Sequence, residues 1–247
     1  MHSTLDLPPP PPLSVLQGRG PLALFLDFDG TLVDLAGTPD SIVVPERMAA
    51  RFSALSEQLD GALALVSGRA VVDLEHHCGQ LSIARAGSHG IDRRHADGRM
   101  LGAPPQPIPE SVNDRLRSFA ADLGFRLEPK PHGGALHYRD DPSLEASGLE
   151  FARALAAEHG LVVKCGKFVI ELVRPGADKG GAVRAFMQEA PFAGRRPVFV
   201  GDDITDEDGM SAAEELGGFG VTVGERESTA ARYRLADPAA VHAWLNL

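Results

Sequence analysis

Three groups of polar residues each close an apolar run of strand-like length. Asp27 and Asp29 follow Leu22-Ala23-Leu24-Phe25-Leu26, Ser67 follows Ala62-Leu63-Ala64-Leu65-Val66, and Asp202, Asp203 and Asp206 follow Pro197-Val198-Phe199-Val200. Any one group alone also reads as a helix cap or turn, because Asp before Gly or Thr is common there. Asp34, Asp60 and Asp73 are read that way. The three groups together point to a site. Carboxylates brought to one place repel each other, and a hard cation such as Mg²⁺ relieves the repulsion. Mg²⁺ takes a few carboxylates together with substrate phosphate oxygens, which fits this set.

Such convergence needs a scaffold. Apolar runs without helical period suit strands buried on both faces. Between the first two, Pro45 opens an expected helix whose Met48, Phe52, Leu55 and Leu59 form one apolar stripe. Strand and helix in alternation predict a parallel sheet with helices on its faces, whose C-terminal strand ends open into a shared crevice. The fold class expected is α/β: a Rossmann-like parallel-sheet core with helices on both faces, plus a smaller α+β cap domain inserted in the chain.

The insert is expected over residues 107–174. It follows an Asp97-Gly98 turn and a proline-rich linker from Ala103 to Pro109. Val112, Leu116, Phe119 and Leu123 mark a helix, Ala135 to Tyr138 a strand, and Leu149 to His159 a second helix. Leu161 to Lys164 and Phe168 to Val173 read as strands about a turn at Cys165-Gly166. The core then spans residues 21–106 and 175–247, resuming with a helix after Asp178. Residues 1–20 form a proline-rich tail. Its unbroken run Pro8 to Pro12 favours polyproline II. A stiff solvated tail is the preferred reading, over docking to an SH3-like partner.

Composition narrows the function classes. The 247 residues carry 24 Lys and Arg against 34 Asp and Glu, a net charge of −10, which disfavours nucleic acid and anionic membranes as partners. No apolar run approaches the ~18 residues of a membrane span. The N-terminus lacks a basic stretch followed by an apolar segment, so no signal peptide is expected. The two cysteines, Cys78 and Cys165, match neither a disulfide framework nor a zinc pattern, even with His76 and His77 beside the first. A reducing, cytoplasmic location is expected.

Asp27-Phe28-Asp29-Gly30-Thr31, Ser67, Lys179 and Gly201-Asp202-Asp203-Ile204-Thr205-Asp206 resemble the four motifs of the haloacid dehalogenase superfamily of phosphohydrolases. Further segments resemble the trehalose-6-phosphate phosphatase family within it. They are Ser67-Gly68-Arg69, Gly87-Ser88-His89-Gly90, Glu128-Pro129-Lys130, Ala135-Leu136-His137-Tyr138-Arg139, Glu171-Leu172-Val173-Arg174-Pro175 and Lys179-Gly180, with Glu207 closing the last motif. The likeness spans about Leu22 to Asp208, weakens toward the end, and leaves the first twenty residues outside.

The resemblance implies an Mg²⁺-dependent phosphatase that converts trehalose 6-phosphate to trehalose and phosphate through an aspartyl phosphate. Asp27 would be the nucleophile and Asp29 the acid and then the base. Ser67 and Lys179 would hold phosphoryl oxygens. A lysine in the first turn of a helix opposes the helix dipole, which favours an anion beside Lys179. The implied metal ligands are the Asp27 side chain, the Asp29 carbonyl and Asp202. Asp203 and Asp206 would orient waters or Lys179. In the cap, Glu128, Lys130, His137, Arg139, Lys167 and Glu171 would read sugar hydroxyls. Three readings compete: another sugar-phosphate phosphatase such as a sucrose-phosphate type, a receiver-like signalling domain, and a non-catalytic sugar-phosphate sensor. Oligomeric state and a partner for the proline run stay open.

Overall fold

The apolar runs form strands whose alternate residues enter separate cores. In a computed structural model that describes residues 7–38, 41–130, 132–166 and 168–247, the chain divides into two compact units. The first comprises the described residues of Met1–Ala103 with Asp178–Leu247; the second is Pro104–Ala177.

The first unit contains α1 (Leu13–Gln17), β1 (Leu22–Leu26), α2 (Met48–Gln58), β2 (Leu63–Val66), α3 (Val71–Cys78), β3 (Ala84–Gly87) and β4 (Asp92–Arg94). In the second lie α4 (Glu110–Leu123), β5 (Arg126–Lys130), β6 (Gly133–His137), α5 (Glu145–His159), β7 (Val162–Gly166) and β8 (Val169–Val173). The first unit resumes with α6 (Lys179–Phe186), β9 (Arg196–Gly201), α7 (Glu207–Glu215), β10 (Phe219–Val223), β11 (Ala231–Leu235) and α8 (Pro238–Leu245). Its seven-stranded sheet runs β11-β10-β9-β1-β2-β3-β4, parallel except for the β3–β4 pair. Leu22, Leu24 and Leu26 pack with α2 and α8 through Met48, Phe52, Val241 and Leu245. Ala23 and Phe25 face α6 and α7 through Ala182, Phe186, Met210 and Ala213. Both faces of the sheet are therefore covered by helices, the arrangement that near-continuous apolar strands require.

Two local expectations change in this unit. The stripe Met48, Phe52, Leu55 and Leu59 is buried, but its helix starts at Met48, not Pro45, because Arg47 adopts a left-handed φ of 60° that a helix excludes. The proline run is not a solvated tail. Pro10 is buried, the Arg234 amide donates to Pro8 O at 3.0 Å, and the Trp244 indole donates to Pro11 O at 2.8 Å. Proline lacks a donor but keeps its carbonyl. The edge of β11 and a half-buried indole supply the missing donors, and Leu13 and Leu16 then join the core.

The second unit is a four-stranded antiparallel sheet, β5-β6-β8-β7. One face packs Leu136, Ile170 and Leu172 against Val112 and Leu116 of α4 and Ala152 and Leu155 of α5. Ala120, rather than Leu123, completes the buried stripe of α4; Leu123 is 44% exposed. The turn expected at Cys165-Gly166 comes later. Both residues lie in β7, and Phe168 carries the left-handed φ of 62°. Strand β5 is hidden in the sequence by its charges and Pro129, which an edge strand tolerates.

Candidate active site

Strands β9, β1 and β2 lie side by side, so their C-terminal ends deliver three polar groups to one edge of the sheet. Leu26 pairs with Val200 in parallel register, and the Asp27 amide donates to Val200 O at 2.9 Å. Asp27 and the Gly201-Asp202 turn thereby emerge together. Lys179 enters from the first position of α6, whose Asp178 caps the helix by accepting from the Gly181 amide. Its ammonium donates to Asp27 Oδ1 at 2.7 Å and to Asp206 Oδ1 at 2.6 Å. All three side chains are buried. Asp206 Oδ2 accepts from the Asp203 amide at 2.9 Å, and Asp203 Oδ1 from the Ile204 amide at 2.7 Å. Asp206 is thus fully engaged in fixing Lys179 and its own loop.

Asp202 accepts from the Thr31 hydroxyl at 3.2 Å. Gly30 makes this approach possible: at φ 78°, a Cβ on it would stand 2.2 Å from Asp202 Oδ2. Asp29 is gripped by both prongs of the Arg69 guanidinium, at 2.7 and 2.8 Å, and the same guanidinium donates to Asp73 Oδ2 at 2.6 Å. Asp73, read from sequence as a cap or turn residue, therefore also steadies the arginine that orients Asp29. Ser67 is buried at the end of β2, its Oγ accepting from the Arg69 amide at 3.1 Å. Arg69 and Thr31 stand within the motifs around Ser67 and Asp27, where residue type and spacing alone assign them no role.

The electrostatics follow from the crowding. Burial pushes the Asp27 carboxyl well above its ordinary range, and the charges of Asp206 and Asp202 add to this while Lys179 opposes it. Asp202 is pushed up to about 7, by burial first and by Asp206 next, with Lys179 and Thr31 working the other way. Burial also works against the Lys179 charge, but Asp206 and Asp27 outweigh it and raise its pKa. Carboxylate oxygens of Asp27, Asp202 and Asp206 lie within 4.8 Å of one another. Three carboxylates against one ammonium leave surplus negative charge in a buried place. A small hard cation fits this oxygen-only donor set.

The second unit gathers its own polar group on the sheet face opposite the helices. Lys130 pairs with Glu171 and lies 3.7 Å from Glu128, whose other oxygen is 2.8 Å from His137 Nε2. Register explains the cluster: Glu128 pairs with Ala135, and Ala135 with Glu171. Burial raises the Glu128 carboxyl, but His137 and Lys130 outweigh it and hold it below the ordinary range. Arg139 is apart from this cluster, exposed and stacked over Phe168 at 5.8 Å. Lys167 lies outside the described residues. His76, His77 and Cys78 form no ion-holding group among the described residues. Burial pushes the Cys78 thiol up to about 12.

Residues 25–239 match the family model described as trehalose-phosphatase. The chain belongs to the trehalose-phosphatase family. It is an enzyme, a phosphatase. The trehalose-6-phosphate phosphatase of Escherichia coli (strain K12) is 39% identical over 228 residues, covering 91% of this chain and 85% of that protein. A probable trehalose-phosphate phosphatase of Sinorhizobium fredii (strain NBRC 101917 / NGR234) is 40% identical over 205 residues, covering 82% of this chain and 77% of that one. Among solved structures, the C-terminal domain of C. albicans trehalose-6-phosphate phosphatase superposes with a TM-score of 0.80 at 22% identity, covering 99% of this chain and 100% of that one, a likeness of fold. Among the described residues, no helix is long and apolar enough to cross a membrane.

Proposed function

We propose that this trehalose-phosphatase family member hydrolyses trehalose 6-phosphate through an aspartyl-phosphate intermediate on Asp27, with Mg²⁺ as cofactor. The observation that carries the reading is the buried grouping of Asp27, Lys179, Asp202 and Asp206 at adjoining strand ends. When bound by Asp27, the Asp29 carbonyl and Asp202, the cation would supply charge neutralisation for a dianionic phosphoryl group approaching carboxylates. The residues do the rest. Asp27 forms a bond to phosphorus as the bond from phosphorus to the sugar oxygen breaks, and Asp29 gives that oxygen its proton. Asp29 then takes a proton from water, whose oxygen attacks phosphorus and releases Asp27 and inorganic phosphate. Lys179 and Ser67 hold the equatorial oxygens, where charge concentrates. Asp203 and Asp206 fix the loop and the ammonium.

Sugar recognition is assigned to the second unit, through Glu128, Lys130, His137 and Glu171, with Arg139 and Lys167 as further candidates. Groups built to pair with a sugar hydroxyl reject a substrate that lacks it, because they are then left unpaired. The test is phosphate release from trehalose 6-phosphate, sucrose 6-phosphate and glucose 6-phosphate, with and without Mg²⁺. Preference for trehalose 6-phosphate supports the reading. Preference for sucrose 6-phosphate would reassign the substrate. Tight binding without release from any sugar phosphate would favour a sensor.

A further inference from the structure

Asp202 stands where charge repulsion should drive it away. It is a half-buried carboxylate beside Asp206 and Asp27, and its flexible side chain could swing toward solvent unless the backbone carrying it is fixed. What fixes that backbone lies beyond the Gly201–Asp206 motif, on the loop between β10 and β11. The Arg226 guanidinium donates from Nε to Asp202 O at 3.0 Å and from Nη2 to Asp203 O at 3.1 Å. Nη2 also reaches Glu207 Oε1 at 2.5 Å, and Nη1 reaches Glu227 O in its own loop at 2.7 Å. Glu207 closes the clasp from the other side. Its Oε2 accepts from the Thr229 amide at 3.1 Å, the Thr229 hydroxyl at 2.9 Å and the Ala230 amide at 2.9 Å. Arg234, in β11, donates to Gly224 O and, at 3.1 Å, to Arg226 O. Residues 224–230 are thereby sewn to the turn that presents Asp202.

We propose that Arg226 is a positioning residue for the cation site: by holding the carbonyls of Asp202 and Asp203 it keeps the Asp202 carboxylate within ligand distance of Asp27. This rests on reading the acidic cluster as an Mg²⁺ site. A planar guanidinium suits the task because it addresses several acceptors at fixed angles, which a lysine ammonium on a flexible stem does not. Residues that orient metal ligands commonly alter affinity by about 10–100-fold when removed.

The experiment compares wild type, Arg226→Ala, Arg226→Lys and a surface control, Arg232→Ala, as full-length proteins. Mn²⁺ binding is followed by electron paramagnetic resonance and Mg²⁺ binding by calorimetry, with melting temperature in EDTA measured alongside. Arg226→Ala is expected to weaken both cations by about 10–100-fold, with Arg226→Lys between it and wild type and the control unchanged. Phosphate release should follow, the Mg²⁺ needed for half-maximal rate rising while the rate at saturating Mg²⁺ falls much less. Unchanged cation affinity in a folded Arg226→Ala protein overturns the proposal even if its melting temperature drops. Should Arg226→Ala fail to fold, Arg226→Lys with wild-type affinity overturns it equally. Wild type that binds neither cation would instead remove the Mg²⁺ reading on which the proposal rests.

Discussion

Lys179 invites a direct physical test, because its ammonium lies between the buried carboxylates of Asp27 and Asp206. In Lys179→Met the stem keeps nearly its volume and the ammonium disappears. Asp27 Oδ1 and Asp206 Oδ1 then lose donors at 2.7 and 2.6 Å while remaining buried. Removing one partner of a buried ion pair costs roughly 3–5 kcal/mol, because an uncompensated charge stays behind. For a chain of this size each kcal/mol moves the melting temperature by about 2–4 °C. A drop on the order of 10 °C in EDTA is expected. The pH dependence gives a second handle. Asp27 already has a raised pKa in the native state, so its contribution to stability is present at low pH and is lost as pH rises through the folded value. Loss of Lys179 raises that pKa further. The gap between variant and wild type should therefore be wider at mildly alkaline than at mildly acidic pH. Lys179→Met/Asp206→Asn, with one orphaned carboxylate removed, should recover part of the loss. Melting within about 2 °C of wild type at both pH values would refute the reasoning.

Three further outcomes are expected. Mg²⁺ should raise the melting temperature more at about pH 8 than at about pH 5.5, because Asp202, pushed up to about 7, must give up a proton to bind it; equal shifts at both would contradict this. Lys130→Ala or Glu171→Ala should lower kcat/KM for trehalose 6-phosphate by on the order of 10²-fold while scarcely affecting a small aryl phosphate, whereas Ser67→Ala should depress both; equal loss on both substrates for the Lys130 and Glu171 variants would mean a structural role only. Leu16→Ala, in a segment where a solvated tail would show no effect, should cost about 2–5 kcal/mol as a core truncation, read by denaturant unfolding.

Much of this was legible because the strands are buried on both faces. A run such as Leu22 to Leu26 has no polar side to hide, so both strand and ending are marked, and the residues that follow stand out as chemistry. Asp27, Ser67 and Asp202 were visible for that reason. The polar positions on the face of the second sheet away from its helices were harder. Alternation places Glu128 and Glu171 on one face, but β5 carries two charged ends and a proline and does not look like a strand. The proline run misled because its only hydrogen-bonding group is the carbonyl, and the donors that satisfy it, at Arg234 and Trp244, are more than two hundred residues away. Arg226 was illegible for a similar reason. All of its contacts but the one to Glu207 run to backbone carbonyls, which leave no trace in side-chain pattern. Arg69 could have been suspected, since a carboxylate with acid and base duties needs something to orient it.

In the proposed reaction Asp27 is the group that attacks phosphorus. The most direct test of that role is phosphate release from trehalose 6-phosphate by wild type and Asp27→Asn at saturating Mg²⁺, with circular dichroism and melting showing that both are folded. Asparagine is almost isosteric but a very poor nucleophile. Near-complete loss of turnover in the folded variant is the result predicted; turnover at the wild-type rate in verified Asp27→Asn protein would contradict it.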